Sequence, residues 1–147
     1  MLWRASEREW SIQYMEMGDL YLVDGHPRAI MRPLTVKRDP KDFYALGAPT
    51  DQSLTALDVI LMRKDPPFDL EYIYVTYMLE RAEQENVLII NKPASLRDCN
   101  EKVFTAWFSE LTPPTLISRN SNQIKSFVSS INLCIYKRFI DIIYKDW

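Results

Sequence analysis

Asp58-Val-Ile-Leu-Met-Arg-Lys-Asp-Pro-Pro-Phe-Asp69 is the stretch whose reading decides the fold. Val59 to Met62 is a compact apolar run, and the charges and two prolines that follow cannot continue it. The segment reads as a buried parallel strand followed by a loop. Asp69 is placed to cap a helix. Beyond it, Leu70, Ile73, Tyr74, Tyr77 and Met78 follow the i, i+3, i+4, i+7, i+8 spacing of a broad core-facing stripe. The helix closes at Glu80, Glu83 and Glu85, a charge run that usually marks a solvated face. Val87 to Ile90 is a second buried strand, ended by Asn91-Lys92-Pro93. Strand, helix and strand in that order argue for an α/β layered domain in which the two strands are parallel neighbours.

Toward the amino terminus, Met1 to Glu9 reads as the end of a helix and Ser11 to Met17 as a strand. Leu20 to Val23 and Ala29 to Val36 flank Asp24-Gly25, a dipeptide suited to the positive φ angles of a two-residue hairpin turn. From Lys37 to Ala56 the apolar residues lose their period, and Pro40, Gly47 and Pro49 punctuate the run, which predicts a long surface loop. Toward the other end, Ser95 with Asp98 resembles a capping box opening a helix that runs to Phe108. Pro113-Pro114 breaks that helix, Thr115 to Ser118 is expected to form a short strand, and Asn120 opens a helix with Ile124, Phe127, Val128 and Ile131 on one face.

The formal charge of -2 over 147 residues, with both signs mixed along the chain, excludes the electrostatic footprint of a nucleic-acid binder. No apolar stretch approaches membrane-spanning length. Charges among Met1 to Trp10 exclude the apolar core of a signal peptide. Cys99 and Cys134 have no CxxC spacing and the one histidine is His26, so a zinc site is not expected, and a reducing cytoplasm fits. Both cysteines read as structural and His26 as a surface turn residue.

Tyr14-Met-Glu-Met-Gly-Asp-Leu-Tyr-Leu22, the stretch from Asp58 to Asp69, and Asn91-Lys-Pro-Ala-Ser-Leu-Arg-Asp-Cys-Asn-Glu-Lys102 together resemble successive blocks of prokaryotic glutathione synthetase. Thr105-Ala-Trp-Phe108, Thr112-Pro113 and Arg119-Asn120 continue the similarity in order, and long blocks in register are more specific than any short motif. The resemblance implies an α/β fold: a Rossmann-like pre-ATP-grasp domain with a mostly parallel sheet, its first strand missing and the ATP-grasp domain almost entirely absent. It implies domain bounds of 1–118 for the amino-terminal domain, 119–137 for the start of the ATP-grasp region and 138–147 for a divergent tail.

The resemblance also implies an activity, an ATP- and magnesium-dependent ligation of γ-glutamylcysteine to glycine in an enzyme that forms homo-oligomers. The chain alone is expected to be inactive. The rival expectations are a non-catalytic interaction module and a pseudogene product pairing with full-length subunits. Arg63 takes a substrate-binding role by this resemblance, its planar fork suiting a carboxylate at the carboxyl end of a strand. On residue type alone, the plainer reading is a solvated loop arginine partnered by Asp65. Lys102 and Lys137 are implied nucleotide-binding lysines. Lys102 is otherwise an ordinary helical lysine, and Lys137 reads as vestigial because Arg138-Phe139 follow where Pro-Leu is expected. No metal ligand is implied.

Overall fold

The computed structural model describes residues 1–64, 67–99 and 103–131, and the chain divides into two compact units, 1–96 and 97–147.

The first unit is built on one long strand. Leu20–Val23 (β2) turns through Asp24 and Gly25, both at positive φ (50° and 80°), into His26–Val36 (β3). Positive φ at both central residues is the geometry that matches the twist of a two-residue hairpin, and glycine adopts it without steric cost. Gln13–Tyr14 (β1) also pairs with β3, opposite Pro33 and Arg32. The strand expected over Ser11 to Met17 is thus only two residues long. A 3₁₀ turn at Met17–Asp19 replaces its end, closed by reciprocal bonds between Glu16 and Asp19.

The long loop expected between Lys37 and Ala56 is not what forms. Tyr44–Leu46 (β4) and Thr50–Ser53 (β5) are strands, and both pair antiparallel with β3. The turn residues mark a change of register rather than a lack of structure. β5 covers Arg28 to Met31 and β4 covers Leu34 to Val36, so Arg32 and Pro33 fall between the two registers. Proline has no N–H for the ladder and is tolerated at such a break. Its carbonyl accepts from Gly47 N at 2.8 Å. Gly47 comes this close because it lacks a Cβ, which would stand 3.2 Å from Pro33 Cδ.

The sheet of five strands is therefore antiparallel throughout, which corrects the expectation of a mostly parallel sheet. The parallel part is a separate pair, Val59–Leu61 (β6) and Leu88–Ile90 (β7), joined by the helix Leu70–Gln84 (α2). The 45 residues or so before β6 encode hairpins, and hairpin connections yield antiparallel neighbours.

Along β3, Pro27, Ala29 and Met31 are buried, the period-2 face of a strand with one covered side. They meet α2, which is capped as expected: Asp69 Oδ1 accepts from Tyr72 N at 2.9 Å. The buried face of α2 is Tyr72, Val75, Thr76, Leu79 and Ala82, not the stripe read from the sequence. Leu70, Tyr74 and Tyr77 of that stripe are exposed, Leu70 by 65%. Apolar residues lie on both faces of α2, so spacing alone could not choose. The choice falls to packing, because the small Ala82 and the branched Val75 and Leu79 fit between two sheets. Ala29, Met31 and Leu54 from one side and Ile60, Val87 and Ile89 from the other complete this core. Thr76 is buried with its hydroxyl donating to Ile73 O at 2.6 Å, so no polar group is stranded there.

Leu2–Ser6 (α1) is held against the sheet by Trp3, whose indole Nε1 donates to Lys37 O at 3.0 Å while the Arg38 guanidinium lies 5.6 Å over its ring. Pro93–Asp98 (α3) begins at Pro93, so Ser95 is inside the helix and not its cap. Proline suits a first helical position because the missing N–H would be unsatisfied there anyway.

Within the second unit, Phe104–Leu111 is 3₁₀ rather than a continuation of α3, and residues 100–102 lie outside the described residues. Thr115 to Ser118 forms no strand. Ser121–Ser130 (α4) is capped by Asn120 as expected, its Oδ1 accepting from Asn122 N at 2.9 Å and Gln123 N at 3.3 Å. Ile124 and Phe127 are half-buried, while Val128 is exposed.

The face chosen by α2 is open to a direct check. Leu79, 1% exposed, should cost about 2–5 kcal/mol when cut to alanine. Leu70→Ala should change stability by about 0.5 kcal/mol or less. Urea unfolding of the two variants measures both, and equal losses would mean that the helix is turned the other way.

Candidate functional site

β6 and β7 run parallel with Val59 opposite Leu88, Ile60 opposite Ile89 and Leu61 opposite Ile90. The ladder extends past both ends, with Leu88 N donating to Asp58 O at 3.1 Å and Met62 N to Ile90 O at 2.9 Å. The two strands therefore finish level. Ligands of open α/β sheets bind outside the carboxyl ends of parallel strands, and here that edge is Arg63 and Lys64 after β6 with Asn91 and Lys92 after β7. Among the described residues only one face of the pair is covered: Ile60 and Ile89 are 5% and 4% exposed, while Val59, Leu61, Leu88 and Ile90 are exposed. The expectation of two fully buried strands holds for the α2 side alone.

Arg63 is exposed. Among the described residues it makes no hydrogen bond or ion pair, and the same is true of the Lys64 and Lys92 side chains. Asp65, the partner of the plainer reading, lies outside the described residues, as do Lys102, Lys137 and Cys134. Three cations thus leave the sheet at its carboxyl edge without a neutralising partner among the described residues. Such a rim attracts carboxylates.

The remaining candidates are peripheral. His26 is the first residue of β3, with Nδ1 3.9 Å from Glu85 and both side chains exposed. Cys99 is exposed, which corrects its reading as a buried structural cysteine. Glu80 and Glu83 are half-buried rather than fully solvated. No group of three or more His, Cys, Asp or Glu among the described residues is placed to hold a metal ion. A hollow of about 390 Å³ in the second unit is lined by Ala106, Ser109, Thr112, Pro113 and Ile117 among others, all uncharged, so it offers a carboxylate no cation.

One polar cluster escaped the sequence reading. Tyr21 on β2 stands opposite Arg28 on β3, and Arg28 reaches Asp51 on β5, Nε to Oδ1 at 3.1 Å. Hydrogen bonding to the Tyr21 hydroxyl, and then to the Arg28 guanidinium with its charge, holds the Asp51 carboxyl below its ordinary pKa against the opposing effect of desolvation. The signal was present for half of it: a two-residue turn at Asp24-Gly25 puts residue 21 opposite residue 28. Asp51 needed β5, which local patterning did not reveal. Nearby, a hydrogen bond of 2.8 Å to Glu16 raises the pKa of Tyr14.

The fold and this edge define an α/β domain with a cationic rim at the carboxyl end of a βαβ unit. Residues 1–97 match the family model described as prokaryotic glutathione synthetase, N-terminal domain. The chain belongs to the prokaryotic glutathione synthetase family. The glutathione synthetase of Escherichia coli (strain K12) is 58% identical over 127 residues, 86% of this chain and 40% of that protein. That of Yersinia pestis is 59% identical over the same length. The glutathione synthetase of Photorhabdus laumondii is 53% identical over 145 residues, 99% of this chain and 43% of its own, so that alignment reaches into residues 138–147. The chain thus spans about 40% of the length of the curated relatives it matches. No helix among the described residues is long and apolar enough to cross a membrane.

The Asp51 cluster gives a pH test with a definite sign. A carboxyl whose folded pKa is depressed contributes stability above its unfolded pKa, and that contribution is lost as pH falls through the folded value. Carbon-detected NMR should place the Asp51 titration below the ordinary aspartate range, and Tyr21→Phe should move it back upward. An unmoved titration would remove the tyrosine from the cluster.

Proposed function

We propose that this chain forms the peptide-substrate side of a glutathione synthetase, the ligase that joins γ-glutamylcysteine to glycine with ATP and magnesium. The observation that carries this reading is the family match over residues 1–97, which includes the whole of the β6–α2–β7 unit and its cationic edge. Arg63 binds a carboxylate of γ-glutamylcysteine through two parallel N–H donors, a geometry that a lysine cannot reproduce. Supporting this are its place at a strand's carboxyl end and its lack of a partner among the described residues.

Lys102 and Lys137 are the nucleotide-binding lysines of the same reading, with 1–118 the amino-terminal domain, 119–137 the start of the ATP-grasp region and 138–147 a divergent tail. ATP and magnesium have no fitted site among the described residues. They form no acidic metal cluster, and the chain's three glycines, Gly18, Gly25 and Gly47, are too dispersed to make a phosphate loop. The part of this chain's own side chains is to bind and orient the peptide in a cytoplasmic, homo-oligomeric enzyme.

A second reading is a non-catalytic module that pairs with a larger subunit. The uncovered apolar face of Val59, Leu61, Leu88 and Ile90 favours it.

Two measurements test the substrate reading. The purified chain should form no glutathione from γ-glutamylcysteine, glycine, ATP and magnesium, because catalysis by positioning requires both reactants and the nucleotide in one geometry. Product above an enzyme-free control would overturn that. In calorimetric titration with γ-glutamylcysteine, Arg63→Gln should weaken binding by about 10- to 150-fold, the equivalent of a charged hydrogen bond of about 1.5–3 kcal/mol. Unchanged affinity would leave Arg63 a solvated loop arginine.

A further inference from the structure

We propose that Lys92 is a second carboxylate-binding residue, so that the edge selects a peptide with two carboxylates, one held by Arg63 and the other by Lys92. This rests on the substrate reading above and adds a specificity residue to it. Arg63 and Lys92 each stand two residues past Leu61 and Ile90, which are paired in the parallel ladder. The last bond of that ladder, Met62 N to Ile90 O at 2.9 Å, brings the two exits side by side.

Lys92 is also the better fixed of the two lysines on this edge. Its carbonyl accepts from Leu96 N at 3.1 Å, and Pro93, directly after it, is fully buried. The backbone of Lys92 is thus pinned at the junction of β7 and α3, whereas Lys64 extends a loop that leaves the sheet. Arg63 and Lys92 both lack a counter-charge among the described residues. Two unneutralised cations on adjacent strand exits repel each other, and a ligand that presents one carboxylate to each offsets that repulsion while gaining two attractions. γ-Glutamylcysteine carries two carboxylates beside its one ammonium group, and so supplies one carboxylate for each cation. The two side chains differ in the way this division needs: the guanidinium is a planar fork and the ammonium a compact point charge.

Calorimetric titrations of the whole chain and of Lys92→Gln, Lys92→Arg and Arg63→Gln test this. The ligands are γ-glutamylcysteine and its two mono-amides, each with one carboxylate converted to a carboxamide. Lys92→Gln should bind γ-glutamylcysteine about tenfold more weakly, and Lys92→Arg should keep most of the affinity. One mono-amide should bind wild type and Lys92→Gln equally while still losing affinity to Arg63→Gln. Thermal unfolding of each variant serves as the folding control, and the exposed Lys92 should leave it unmoved. If Lys92→Gln binds γ-glutamylcysteine like wild type while Arg63→Gln does not, the role of Lys92 is wrong and the substrate reading stands. If Lys92→Gln weakens all three ligands equally, the residue acts on the fold and not on a carboxylate, and the inference fails. If the wild-type chain binds none of them, both fall together.

Discussion

Every strand of the antiparallel sheet pairs with β3, and the rest of the first unit depends on that one strand remaining continuous through two prolines. Pro27 and Pro33 supply no N–H, so the neighbours of β3 must be arranged to ask for none. The solution is visible in the register. β5 ends opposite Arg28, one residue short of Pro27, and the step between β5 and β4 falls at Pro33. Gly47 N donating to the Pro33 carbonyl closes the step, and the absence of a Cβ at Gly47 lets it do so. Local choices that look like strand-breakers thus agree with the fold once the pairing is known.

The second constraint is that one helix serves two sheets. α2 lies against the inner face of the antiparallel sheet and against the parallel pair, and the buried cluster draws on all three. A helix in that position needs an apolar surface wider than a single stripe. Val75, Leu79 and Ala82 provide it with residues small enough for the sheets to approach. Tyr74 and Tyr77 turn outward, while Tyr72 at the start of the helix is buried.

The parts legible in the sequence were those set by neighbours in the chain. The Asp24-Gly25 turn, the caps at Asp69 and Asn120, and the two apolar runs that become β6 and β7 each follow from a few adjacent residues. The parts that were not legible depend on distant partners. β4 and β5 are short and set among turn residues, β5 is polar throughout, and only the waiting edge of β3 makes them strands. The buried face of α2 was decided by two sheets, so a spacing rule applied to a helix with apolar residues on both sides had no means of choosing. The position of Arg63 is legible in the sequence because a strand exit is a local feature. The nearness of Lys92 to it is not, because that relation exists only in the pairing of β6 with β7.

This dependence links the core to the site. Parallel sheets are ordinarily covered on both faces, yet among the described residues β6 and β7 pair only with each other and are covered on one side by α2. What fixes the exits of the two strands is therefore a short ladder together with Ile60 and Ile89 packed beneath Leu79 and its neighbours. A site held on rigid elements is only as precise as the packing that holds them. A substitution in α2 that loosens this packing would move Arg63 and Lys92 relative to one another without touching either, so that under the proposed substrate reading affinity and stability fall together. A substitution at Arg63 or Lys92 removes a charge from the surface and leaves the core intact. The two kinds of damage are separable because the exposed cations sit outside the core while the hydrogen bond that joins the two strand exits, from Met62 N to Ile90 O, belongs to the sheet.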